Sequence, residues 1–351
     1  MHSVVNIPLI SLLLCLWACA EDKAELYERM DKVDAHVHIR TANNAIMEYA
    51  KSQRFQLLTV NTRSDSQAYI DKQKHFAVQM SEQYPEDIFW LTTFSMEGFE
   101  EPGWAEAVVE KLRQDLVQGA LGFKIWKDIG MTYRDSLGSF VFLDDPIFEP
   151  ILEFMAESGK PLLTHVGEPR NCWLPIDSMT VNNDKNYFSK HPEYHMYLHP
   201  EYPSHERLME SRDHVLDRYP ELRVVGAHLG SLEWDVDVLA ERLERYPNFA
   251  VDLAARVCHL QVQDREKVIA FIRKYQDRIL YATDLGISGD QLSDRLTWLE
   301  DEWRSDWAYF ATDSQLSSSS VEHEFTGLNL NEKVLKKIYG GNARHWYSML
   351  D

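Results

Sequence analysis

Residues 33–39 read VDAHVHI, which places His36 and His38 two apart in a β-rich run. Side chains at i and i+2 leave the same face of a strand, so the two imidazoles would stand side by side, half of a metal site. Three later segments end in ligand-type residues: LLTHVGEP presents His165, VVGAHLGS presents His228 and LYATDLG presents Asp284. Imidazole nitrogens with one carboxylate suit a single divalent ion, Zn²⁺ before Mn²⁺, Fe²⁺ or Co²⁺. Each residue alone has a plainer reading: a lone strand-end histidine is usually a satisfied core residue, and an Asp before Leu-Gly is often a turn residue. The pattern across four segments is what argues for a shared site.

Such a site needs elements that bring those segment ends together. β-type runs are read at 33–39, 56–61, 88–94, 119–126, 161–166, 222–228, 249–253 and 279–284. Between them lie helical patterns at 67–84, 104–117, 146–158, 204–219, 234–246 and 264–275, with Pro and Gly at the junctions. Eight β-then-helix units are the count of a (β/α)8 TIM barrel, an α/β fold whose active sites lie at the C-terminal ends of the strands. The runs are continuously apolar, as strands covered on both faces should be. An open doubly wound sheet is the alternative, but no Gly-rich phosphate loop follows the first run. Two connections, 167–203 and 286–329, are long enough to be read as functional loops. Trp298, Trp303 and Trp307 recur at helical spacing in the second and are read as packing.

The 351 residues are 44% apolar and carry a formal charge of −20, enough for a large core and the wrong sign for a nucleic-acid partner. Residues 3–20 are uncharged, and Leu16-Trp17-Ala18-Cys19 resembles a lipobox. Residues 1–19 are therefore expected to be a secretory or lipoprotein leader, with Cys19 lipidated and residues 20–351 forming one exported, envelope-anchored domain. The departure is an n-region without Lys or Arg. Cys172 and Cys258 are too few for a disulfide framework and are read as unpaired thiols.

With these motifs in view, the chain resembles the amidohydrolase superfamily, within it the amidohydrolase-related group that includes aminocarboxymuconate semialdehyde decarboxylase. VDAHVHI, GFKIW, THVGEP, GAHLG, ATDLG and the terminal YGGNARHWY carry the resemblance. It implies that His36, His38, His165 and Asp284 hold one metal ion, and that His228 is an acid/base or substrate polariser beside it. In that scheme Asp284 also takes a proton from a metal-activated water.

Around these residues, Lys124 and Trp126 share a face of the fourth run. Lys124 is expected to bind a substrate carboxylate, with carboxylation as a metal-bridging ligand or a structural ion pair as alternatives. Arg170 and Trp173, in the long connection, are expected substrate contacts, the former a grip on a carboxylate with an ordinary salt bridge of the lid as the equal alternative. Asp252 and Arg256, ending the seventh run, are expected to orient the ligands. His191, His195 and His199 are spaced four apart, but Pro192 and Pro200 spoil a helix that would align them, so an aromatic lid is preferred to a second metal site.

The expected function is a metal-dependent hydrolase acting on a small polar or carboxylated molecule. A non-oxidative decarboxylase on the same scaffold is the alternative, and a lipid-anchored binding protein without turnover is the alternative of another class. Expected partners are the substrate, the membrane through Cys19 alone, and a second copy in a homodimer.

Overall fold

A computed structural model describes residues 23–289 and 292–349, so the leader and Cys19 lie outside the described residues. The strands are β1 Lys32–Arg40, β2 Phe55–Val60, β3 Ile88–Thr92, β4 Gly122–Ile125, β5 Leu162–Thr164, β6 Val224–Gly226, β7 Phe249–Asp252, β8 Ile279–Leu280 and β9 Leu285–Ser288. They form one parallel sheet in the order β8-β7-β6-β5-β4-β3-β2-β1-β9. β8 pairs with β7, whereas β9 pairs with β1, so the expected eighth run is a bent strand in two halves. Between the halves, Ala35 N donates to Tyr281 O (3.0 Å) and Asp284 N donates to His36 O (2.9 Å), which closes the ring into a TIM barrel. The break falls at Asp284, whose φ is +68°.

The expected helices appear at Gln67–Gln83, Trp104–Val117, Glu149–Glu157, His205–Arg218, Val236–Arg245 and Arg265–Lys274. Ser66, Ser204, Asp235 and Asp264 cap four of them by accepting from backbone N–H groups of the first turn. Helices not read from the sequence as elements include Ala45–Ser52 and Leu292–Ala311. The latter fills nearly half of the second long connection. Trp303 stacks on Phe55 at 3.8 Å, and Trp307 meets Tyr27 edge-on at 5.2 Å, so these two pack as expected, whereas Trp298 is exposed.

The first long connection is no open loop. It folds as helix Asn182–Lys190 among short 3-10 turns, over a small core of Cys172, Met179, Phe188 and Met196. Asp184 ties it to the barrel, accepting from Asn171 Nδ2 (2.8 Å) and facing His259 Nε2 (3.3 Å). Cys172 and Cys258 are both free. Among the described residues no helix is long and apolar enough to cross a membrane.

The lumen explains how the histidines are aimed. Val33, Ala35, Leu58, Val60, Leu163, Val225, Ala250 and Leu280 form one cluster with Ala343, Trp346 and Tyr347 of the terminal helix Asn342–Tyr347. A cluster joining strands right around the ring without a crossover helix is the barrel interior, stoppered by the terminal helix. Val37 and Ile39, of the same parity as Val33 and Ala35, pack instead with the outer helices. The register of β1 on β2 shifts between Asp34 and Val37, a bulge that exchanges the faces of the strand. Below it Val33 and Ala35 face the lumen; above it His36 and His38 do.

Close packing under the mouth gives a stability test. A Cβ at Gly226 would lie 2.8 Å from Gly230 Cα and 2.8 Å from Phe249 Cζ. Gly226→Ala is therefore expected to destabilise the protein by about 1–3 kcal/mol in denaturant titration, and an unchanged midpoint would refute this packing.

Candidate metal centre and active site

The bulge, the left-handed break at Asp284 and a second left-handed segment converge at the C-terminal mouth. After β6, His228, Leu229, Gly230 and Ser231 have φ of +59°, +56°, +63° and +55°. Non-glycine residues held there cost about 1–3 kcal/mol each, so the surroundings must impose the turn. Asp252 Oδ1 accepts from His228 N (2.7 Å), Arg212 Nη1 donates to Gly230 O, His205 Nε2 donates to Ser231 O (2.9 Å), and Ser231 Oγ donates to Gly167 O (3.2 Å). The turn swings the imidazole of His228 over the lumen, where His36 lies 5.2 Å away and His165 4.2 Å away, centroid to centroid.

Hydrogen bonds on the far ring nitrogens fix which atoms face inward. His36 Nδ1 donates to Asp252 Oδ2 (2.8 Å), His38 Nδ1 to Val60 O (2.8 Å) and His228 Nδ1 to Ala254 O (2.8 Å). A ring that donates through Nδ1 turns an Nε2 lone pair toward the centre. His36 Nε2, His228 Nε2 and both ring nitrogens of His165 are buried without a protein partner. Burial depresses the pKa of His38, against its contact with the Asp284 carboxylate, and holds His165 well below the ordinary imidazole range, the neighbouring His228 adding to it. Burial also pushes His228 down to about 3, Asp284 opposing and Arg256 reinforcing the shift. Each of these shifts, at His38, His165 and His228, favours the neutral ring.

Asp284 is the anionic member. Burial would raise its pKa, but its contact with His38 and the neighbouring imidazoles of His228 and His36 hold the carboxyl far below the usual range. Its Oδ1 lies 3.0 Å from His38 Nε2 and 3.6 Å from His36 Nε2. With His38 donating through Nδ1, that contact sets two acceptors face to face, an arrangement a shared cation satisfies. His36, His228 and Asp284 offer ligand atoms within 4.8 Å of one another. His38 meets the same Asp284 oxygen, and His165 sits one ring further out, between His228 and the edge of Trp126 at 4.9 Å. Orphaned, inward-facing donors around one carboxylate fit a divalent ion.

Asp252 is fully buried between His36 and the left-handed turn. Burial would raise its pKa, yet its contacts with His36 and His228 bring it below the ordinary carboxylate value. Lys124 is also fully buried, and its Nζ, 5.8 Å from the Trp126 ring centroid, has no hydrogen-bond partner. Trp126 lines a cavity of about 570 Å³ together with Lys127, Glu168, Tyr187, Tyr194 and Arg63. Lys127 and Glu168 form an ion pair there. Arg63 and Lys127 carried no motif in the sequence; their signal is only that they follow strand ends.

Two expected substrate contacts are not brought to this cavity. The guanidinium of Arg170 pairs with Glu206 (3.2 Å), and Trp173 Nε1 donates to Pro203 O (3.1 Å) with its ring against His205. Both brace the folded segment over the barrel. The three spaced histidines do not gather either: His195 Nε2 bonds Leu174 O (2.8 Å) and His199 Nε2 bonds Pro192 O (2.9 Å).

Comparison with known proteins gives this geometry a family. A family model described as amidohydrolase matches residues 100–349. Similar solved structures include a 2,6-dihydroxybenzoate decarboxylase from Rhizobium, at 14% identity and a TM-score of 0.54 over 91% of this chain and 99% of that one. A structure of 2,6-dihydroxybenzoate decarboxylase complexed with 2,6-dihydroxybenzoate matches at 14% identity and 0.53, over 91% and 100%. A putative amidohydrolase from Staphylococcus aureus matches at 14% identity and 0.53, over 91% and 99%. No curated protein matches by sequence. At these identities the structures share the fold, and the matched family model carries the assignment: the chain belongs to the amidohydrolase family.

Proposed function

We propose that the protein is a metal-dependent hydrolase acting on a small polar or carboxylated molecule at a C–O or C–N bond. The convergence of unpartnered histidine nitrogens on Asp284 carries this reading. His36, His38, His165 and Asp284 would hold the ion, Zn²⁺ by donor type with Mn²⁺, Fe²⁺ or Co²⁺ also suited. A divalent ion bound there acidifies water and polarises a substrate oxygen.

The chain's own residues supply the rest. Asp284, a third exposed at the mouth, is placed to accept a proton. His228 Nε2 is free to hold or deliver one, while its Nδ1–H is committed to Ala254 O. Asp252 fixes the orientation of both His36 and His228. The folded segment 167–203 covers one side of the cavity with Tyr187 and Tyr194, limiting water.

A second reading, non-oxidative decarboxylation, uses the same atoms, with a proton delivered to carbon in place of attack by water. The buried cation Lys124 beside Trp126 favours a carboxylate in the pocket and keeps this reading in play. Incubating the metal-loaded protein in ¹⁸O-water with a panel of lactones, amides and aromatic acids separates the two. Label in an acid product is expected; CO₂ release with no label in the product would replace hydrolase by carboxy-lyase.

A further inference from the structure

A second cavity, of about 250 Å³, holds none of the proposed metal ligands. It lies between the segment that follows β7, helix Leu292–Ala311 and the short antiparallel pair Gln315–Leu316 and Phe325–Thr326. Trp298, Glu302, Ser305 and Asp306 form the wall that the helix contributes. Their spacing, i, i+4, i+7 and i+8, sets them on one face. Trp303 and Trp307 turn into the core instead, which leaves Trp298 to this cavity.

Two carboxylates line it with no cation to meet them. Asp306 is 4% exposed, and its one side-chain hydrogen bond among the described residues comes from Tyr281 OH to Oδ2 (2.9 Å), which leaves Oδ1 without a partner. The carboxylate of Glu302, one turn away and partly buried, has neither a hydrogen-bond donor nor an ion pair among the described residues. No Lys, Arg or His is among the described residues that line the cavity. Like charges at i and i+4 repel, and burying a carboxylate without a counter-charge is costly. Burial raises the pKa of both groups, with Glu302 adding to the rise at Asp306 and Asp34 to that at Glu302. A cation from outside the chain would relieve both penalties.

The remaining walls choose among cations. A divalent ion of the calcium or magnesium type takes about six to eight oxygens within about 2.6 Å, whereas apolar Val257, Leu316 and Phe325 stand here beside the two carboxylates. The volume equals that of about eight liquid waters, far more than one ion fills. An organic ammonium answers both features. Its N–H groups donate to carboxylates, and aromatic faces attract the charge and cover the hydrocarbon.

We propose that this cavity is a second ligand site, for a small organic ammonium ion, with Glu302 and Asp306 taking its N–H donors and Trp298 and Phe325 covering its hydrocarbon part. The site is independent of the hydrolase reading. Thr283, which also lines it, is followed in the chain by Asp284, so the occupant would sit against the segment that carries the anionic member of the metal centre.

The test is calorimetric titration of the full-length protein with benzylammonium, its neutral analogue benzyl alcohol, benzoate, and Ca²⁺ or Mg²⁺ alone. Benzylammonium is expected to bind at one site per chain, more tightly than benzyl alcohol or benzoate, and to raise the melting temperature. Glu302→Gln and Asp306→Asn are each expected to weaken it at least about tenfold, as loss of a charged hydrogen bond implies. The asparagine keeps an oxygen for Tyr281 OH. Ser305→Lys, at an exposed position on the same wall, supplies a tethered ammonium and is expected to block the site. If Asp306→Asn does not fold, Glu302→Gln and Ser305→Lys decide the matter. Benzylammonium no tighter than benzyl alcohol, or bound equally by the wild type, Glu302→Gln and Ser305→Lys, would overturn the proposal. So would Ca²⁺ or Mg²⁺ binding that Glu302→Gln abolishes while benzylammonium does not bind.

Discussion

Replacing His228 by Asn is expected to lower turnover by roughly 10²–10⁴-fold, the usual weight of a positioned acid or base. The residue sits on a four-residue left-handed turn that Asp252, Arg212 and His205 hold from three sides. An asparagine amide can still donate to Ala254 O, as Nδ1 does at 2.8 Å, so the turn is expected to survive. What the amide lacks is a ring nitrogen with a free lone pair, able to take up and return a proton during the reaction. The variant should therefore keep its melting temperature and metal content while losing rate on any substrate the panel identifies. Unchanged turnover would remove His228 from the chemistry.

The second large effect is expected at Asp252, which acts through His36 and His228. Its Oδ2 accepts from His36 Nδ1 at 2.8 Å, and its Oδ1 accepts from His228 N at 2.7 Å and Ala254 N at 3.2 Å. Asp252→Asn keeps an oxygen for the two backbone donors but offers an N–H to His36 Nδ1. His36 must then accept at Nδ1 and carry its proton on Nε2, the atom that faces Asp284. Metal affinity is expected to fall about 10–100-fold, the usual cost of losing an orienting carboxylate, with little change in unfolding free energy. A competition titration against a chromophoric chelator reads this directly, and wild-type affinity in the variant would show that Asp252 does not set the tautomer.

Much of this site was legible in the chain because its residues end strands. His36 and His38 share a face by simple alternation, and His165, His228 and Asp284 each close an apolar run. Local geometry that alternation cannot express was hidden. The bulge between Asp34 and Val37 decides which face of β1 meets the lumen, and no residue type announces it. The split of the eighth run at Asp284 and the left-handed turn at His228 are set by tertiary hydrogen bonds from β1 and β7, not by local propensity.

The long connections misled for another reason. Segment 167–203 is rich in Pro, Tyr and His and reads as loop, yet it buries Cys172, Met179, Phe188 and Met196 in a core too small to show periodicity. Arg170 stood in that segment as either a carboxylate grip or a salt bridge of the lid, and the structure shows its pairing with Glu206. Charge partners across 36 residues, as Arg170 and Glu206 are here, leave no spacing signal.

The claim on which the rest depends is that the barrel mouth holds one divalent ion. Element analysis of the purified protein, before and after chelation and re-addition, with the melting temperature followed throughout, tests it most directly. About one ion per chain is expected, lost with chelator, restored on re-addition with a rise in melting temperature, and absent from His36→Asn. Protein that retains no ion, and whose melting temperature ignores Zn²⁺, Mn²⁺, Fe²⁺ and Co²⁺ alike, would contradict it.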